Sequence, residues 1–144
     1  MEKIFIKGHQ IQLMHLPNYC FENEKLHNED NLDFSIVANE ADSCIAYLFF
    51  QGFKSIDSLK ILQMDLCCLY DNREIGKYLL KEGLMSAWEN DYDLIICEQQ
   101  SCILEENGFV KITFAGNGER SFLRYDLSHK AEILSDAKIV TQLF

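Results

Sequence analysis

Two carboxylates, Asp65 and Glu98, stand where this sequence could place a general base. Asp65 interrupts a strand-like run over residues 59–69. Its alternation sets Leu62, Met64, Leu66 and Cys68 on one face and Ile61, Gln63, Asp65, Cys67 and Leu69 on the other. The first face reads as core, and Gln63 and Asp65 are the polar residues of the second. Glu98 follows the apolar run Leu94-Ile95-Ile96-Cys97, at the carboxyl end of a strand, where the sites of open α/β sheets collect. Either side chain can act by taking up a proton. The bland alternatives are a carboxylate on a partly wet strand face and the first residue of a loop. Cys67 has no histidine near it in sequence to draw off its proton, so it reads as structural rather than nucleophilic.

The second chemistry-bearing passage runs through Tyr70-Asp71-Asn72-Arg73-Glu74-Ile75-Gly76-Lys77, between that strand and a helix. Its single glycine, Gly76, rules out a dinucleotide fingerprint, and Gly76-Lys77-Tyr78 lacks the upstream glycine and the Ser/Thr of a P-loop. Arg73 and Lys77 could lend positive charge to an anion, or be merely solvated. Metal chemistry finds little support. Cys97 and Cys102 are separated by four residues with no matching pair, adjacent Cys67 and Cys68 point to opposite strand faces, and His9, His15, His27 and His129 are scattered. No metal site is expected, and most of the six cysteines, Cys20 included, read as small buried hydrophobes with free thiols.

The elements that must position these residues follow from periodicity. Residues 4–6 and 11–14 are β-like runs around Gly8-His9, either a hairpin or one broken strand, and 17–31 is polar, with a short helix or an irregular crossing expected. Strands are predicted at 33–39 and 43–53 with a turn at 39–42, then at 59–69. From 72 to 90 the period changes to that of a helix whose buried stripe is Ile75, Leu79, Gly83 and Ala87, flanked by Leu80, Leu84 and Trp88. The continuous apolar run 94–97 then suggests a parallel strand and a βαβ crossover. A short helix over 101–107 closes at Gly108, strands at 109–115 and 121–126 flank Gly116-Asn117-Gly118-Glu119, and 128–144 is amphipathic.

Three segments resemble the acyl-CoA-dependent N-acetyltransferase superfamily, GNAT. The stretch from Met64 to Leu80 looks like the family's fourth strand, pyrophosphate loop and third helix. Tyr92-Asp93-Leu94-Ile95-Ile96-Cys97 is similar to its fifth strand. Ile103-Leu104-Glu105-Glu106-Asn107-Gly108-Phe109 looks like its step from fourth helix to sixth strand. The resemblance spans about residues 33–126 and implies a mixed α/β (α+β) sheet, mostly antiparallel with one central parallel βαβ pair and helices on both faces, in a single domain over 1–144. It further implies acetyl-CoA as co-substrate and no metal, with the coenzyme held by Leu66, Cys67, Cys68, Asn72, Arg73, Glu74, Ile75, Gly76 and Lys77. Unpaired amides and the dipole of the helix N-terminus would draw the pyrophosphate. The pantetheine arm would lie in the gap where the family's fourth and fifth strands part, like an added strand.

Against that pattern, Asp71 stands where the family usually has Arg or Gln, Asn72 and Glu74 stand where it has glycines, and Leu104 stands where its fourth-helix tyrosine protonates the leaving thiolate. Asp71 and Glu74 also match a capping box, which would set two carboxylates at the terminus a pyrophosphate needs and weaken its binding. Two functions therefore stay open. One is an acetyl-CoA-dependent N-acetyltransferase acting by direct transfer on a small-molecule or peptide or protein amine, with Asp65 or Glu98 as base. The other is a catalytically inactive GNAT-like module that binds a protein partner or senses acyl-CoA. Composition bounds both. Acidic residues outnumber basic ones 23 to 13, a formal charge of −10, which argues against nucleic-acid and anionic-membrane partners and mildly favours a cationic acceptor. The sequence begins without the apolar region of a signal peptide and its longest uncharged apolar run is too short to span a bilayer, so a cytoplasmic protein is expected, with a homodimer or a protein partner possible.

Overall fold

The computed structural model describes residues 2–15, 35–52, 54–68, 73–99, 101–116 and 118–144. Within them, local turn chemistry sets the strand registers. β1 (Glu2–Ile6) and β2 (His9–His15) pair as a hairpin, closed by Lys7 and Gly8, both at positive φ as a two-residue primed turn requires. The alternative of one broken strand is thereby settled. β3 (Ile36–Glu40) and β4 (Ser43–Phe50) form the next hairpin, with Ala41 at φ 54°. β4 ends three residues before the sequence-predicted boundary at residue 53. After Gly52 a short strand that periodicity did not reveal, β5 (Lys54–Ile56), turns through Asp57 and Ser58 at φ 52° and 70° into β6 (Leu59–Cys68). The expected crossing at residues 17–31 lies outside the described residues.

β6, α1 (Arg73–Glu89) and β7 (Leu94–Cys97) form the predicted crossover, with β7 parallel to β6 and buried throughout. α2 (Cys102–Glu106) is capped by Ser101, whose hydroxyl accepts from the Leu104 N–H, and is followed by Gly108 at φ 99°. β8 (Val110–Gly116) and β9 (Gly118–Asp126) make a tighter hairpin than the sequence suggests. Their register pairs Gly116 with Gly118, so Gly116, Gly118 and Glu119 belong to strands. The sheet runs β1-β2-β3-β4-β6-β7-β9-β8, with β5 beside β6, and every pairing except β6–β7 is antiparallel.

α1 covers one face through Ile75, Gly76, Leu79, Leu80, Gly83 and Ala87, packing on Leu48, Phe50, Leu62, Met64, Leu66 and Ile95. Leu84 lies at the edge of this stripe, and Trp88, expected beside it, is 59% exposed. The amphipathic tail becomes a 3-10 helix (His129–Ile133) and α3 (Asp136–Leu143), which close the opposite face over Ile61, Leu94, Ile96 and Phe122. Arg124 fastens this closure. It is buried, and it donates to Asp126, to Asp136 and to the Ala131 carbonyl at 2.7–2.9 Å.

Candidate functional site

The site begins where two parallel strands part. Residues 61–63 of β6 pair with 94–96 of β7, yet β6 continues to Cys68 along β4. Beyond Gln63, no described strand lies along the β7 side of β6. A strand edge so exposed presents backbone donors and acceptors that need partners. One of them has found a side chain. The Leu66 N–H donates to Oε1 of Gln99, 2.8 Å away across the gap. The Cys97 thiol lies 3.6 Å from the same oxygen and 3.9 Å from the Gln99 carbonyl. Burial, opposed by the hydrogen bond to Gln99 and reinforced by Asp65 and Glu98, pushes the Cys97 thiol up to about 12, so it stays protonated and stays a donor.

The opening of this gap carries the two carboxylates that the sequence singles out. Alternation along β6 turns Gln63, Asp65 and Cys67 to the face opposite α1. Asp65 is half-buried beside Phe49 and Tyr47, whose rings stack at 4.3 Å. Burial first, and then the charge of Glu98, holds the Asp65 carboxyl above the usual carboxylate range. Glu98 is fixed from two sides, by Nε2 of Gln63 at 2.9 Å and by Arg120 at 3.5 Å. Arg120 in turn lies over the Phe114 and Phe144 rings. Gln63 and Glu98, with Lys54, Ile61, Ile96 and Phe144, line a cavity of about 160 Å³. Tyr47 is pushed up to about 12 by burial, by the neighbouring Cys67 and its hydrogen bond, and by Asp65, so it remains a neutral hydroxyl at the edge of the cluster.

The expected coenzyme residues divide among several environments. Leu66 supplies the backbone N–H in the gap, and Cys67 lies beside Tyr47 on the carboxylate face. Cys68 points to the α1 face, where a Cβ on Gly76 would come within 2.6 Å of its sulfur and 3.1 Å of Ile103. Packing of β6 and α2 thus gives a reason for glycine at 76, independent of any ligand. Ile75 is fully buried core. Arg73, Glu74 and Lys77 are exposed on the first turns of α1, and Arg73 pairs with Glu106 of α2 at 3.1 Å. Asn72 lies outside the described residues, as does Asp71 with its proposed cap. Leu104 is fully buried and brings no hydroxyl to the gap. Among the described residues no cluster of three or more His, Cys, Asp or Glu could hold a metal ion, none of the five cysteines forms a disulfide, and no helix is long and apolar enough to cross a membrane.

Sequence reasoning missed Gln99, Tyr47 and Arg120. Each acts through a partner on another element, at sequence separations of 33, 20 and 22 residues from Leu66, Cys67 and Glu98 respectively, and no local pattern marks such pairs.

No protein-family model and no curated protein matches the sequence. Solved structures do match the fold. A GNAT family N-acetyltransferase from Escherichia coli, in complex with CoA, aligns at 20% identity with TM-score 0.55, over 67% of this chain and 60% of its own. The NatC complex bound to a Gag peptide and CoA aligns at 16% identity and TM-score 0.54, over 67% of this chain and 72% of the other. A ribosomal-protein-alanine N-acetyltransferase from Brucella melitensis aligns at 16% identity and TM-score 0.50, over 64% and 67%. The chain thus spans less than two thirds of the Escherichia coli protein. At these identities the likeness is one of fold.

Proposed function

From a chain with the fold of the GNAT acetyltransferases, we propose an acyl-CoA-dependent N-acetyltransferase that passes an acetyl group directly from acetyl-CoA to an amine. The observation that carries this reading is the parting of β6 from β7 with Asp65 and Glu98 on one face at its mouth. The fold alone would not carry it, since one fold hosts many functions. In the proposed reaction the pantetheine arm lies along β6 and brings the thioester to the carboxylates. Asp65 takes a proton from the acceptor ammonium. The free amine attacks the carbonyl carbon, a C–N bond forms as the C–S bond breaks, and the amine's second proton goes to the departing thiolate. A carboxyl held above its usual range is a stronger base than an ordinary aspartate, which suits this task. Glu98, tied to Gln63 and Arg120, is better suited to setting the local field and receiving a cationic acceptor. The acceptor is a small-molecule, peptide or protein amine, and the setting is the reducing cytoplasm.

A second reading, a non-catalytic module that senses acyl-CoA or binds a protein partner, draws on Leu104, which offers no proton to a thiolate. Calorimetry with acetyl-CoA, followed by thiol release in a panel of amines, separates the two. Binding together with amine-dependent CoA release is expected. Binding without turnover would favour the module, and absence of binding would remove the coenzyme from both.

A further inference from the structure

We propose that Gln99 is a built-in gate on the gap between β6 and β7, a side chain that occupies the place of an extended amide ligand and must leave when one enters. The proposal rests on the coenzyme reading above in one respect only, the identity of the incoming ligand as the pantetheine arm of acetyl-CoA.

Parting strands leave the Leu66 N–H facing the gap, and a buried N–H without a partner is costly. The Gln99 amide oxygen answers it at 2.8 Å and also receives the Cys97 thiol at 3.6 Å. One acceptor thus bridges both walls, Leu66 on β6 and Cys97 at the end of β7. A ligand that adds to β6 as a strand would offer its own amide oxygen to the Leu66 N–H, and the two oxygens cannot share that position. Gln99 lies two residues past the last β7 residue and beyond Glu98, outside the paired strands, so its side chain can swing away without unpairing the sheet. With Gln99 in place the Leu66 N–H is satisfied, and ligand binding exchanges one hydrogen bond for another. Gln99 is accordingly a residue that sets the affinity of the site, not a catalytic residue.

The test uses the intact protein and its Q99A and Q99L variants, the second of which keeps bulk without an acceptor. In the unliganded proteins, the exchange of the Leu66 amide with solvent is followed by NMR. It should be protected in the parent and faster in both variants. An amide equally protected in all three overturns the gate whether or not any coenzyme binds. Acetyl-CoA is then titrated calorimetrically. Loss of one competing hydrogen bond, about 0.5–1.5 kcal/mol, corresponds to an affinity gain between about twofold and tenfold for Q99A. Equal affinity in parent and Q99A overturns the gate and leaves the coenzyme reading standing. No binding to either protein overturns the coenzyme reading, and the gate toward acetyl-CoA with it.

Discussion

Asp65 shows how one residue joins stability to function. Its carboxyl is held above the ordinary range by burial and by Glu98, so the folded state binds its proton more tightly than the unfolded chain does. Through this group, stability is greatest below the ordinary aspartate pKa of 3.8 and falls as pH rises through the raised folded value. Asp65→Asn removes that liability. Thermal melts should show the variant more stable than the parent at pH 7, with the advantage shrinking toward pH 3; a loss at neutral pH would mean that the carboxylate is held by partners rather than strained by burial. The same substitution should cut turnover by roughly 10²–10⁴ while leaving acetyl-CoA affinity nearly unchanged. Unchanged turnover would remove Asp65 from the reaction. At this scale the sequence shows the two carboxylates plainly, because a lone acid in an alternating apolar strand is visible by itself. It does not show Gln99, whose role exists only once two strands have parted.

Elements respond to packing, and α1 is where this can be measured. Gly83 sits against β4 so closely that a Cβ would lie 2.1 Å from Leu48 and 3.0 Å from Phe50, both fully buried. Gly83→Ala gains up to about 1 kcal/mol of helix propensity but overpacks a full core by about 1–3 kcal/mol, so a net loss is expected in urea melts. Leu79→Ala, at a fully buried site on the same stripe, should cost about 2–5 kcal/mol. A stable Gly83→Ala beside a damaged Leu79→Ala would show that the helix can ride outward from the sheet. This stripe was legible because a 3.6-residue period betrays the buried face. Trp88 escaped it for a geometric reason. Each four-residue step advances about 40° around a helix, so the row Leu80, Leu84, Trp88 passes from buried through half-buried to exposed. β5 was illegible for another reason. Three residues and an Asp57-Ser58 turn give no alternation to count, and its pairing with β6 is what defines it.

For the whole molecule, the decisive quantity is charge. A formal −10 opposes a coenzyme that carries several phosphate charges, and Arg73, the first described cation of α1, is already paired with Glu106. The same field attracts a cationic amine. Screening acts on the two ligands with opposite sign, because the Debye length shrinks from about 10 Å at 0.1 M to about 3 Å at 1 M. Raising the salt concentration should therefore strengthen acetyl-CoA binding and weaken the apparent affinity for a positively charged acceptor, with little effect on a neutral one. Initial-rate measurements against each substrate in turn, at 0.05 and 0.5 M potassium chloride, would show the two KM values moving in opposite directions. If the KM for acetyl-CoA rises with salt instead, its phosphates meet a local positive surface strong enough to overrule the net charge. Arg73 and Lys77, exposed on the first turns of α1, would then be the cations that supply it.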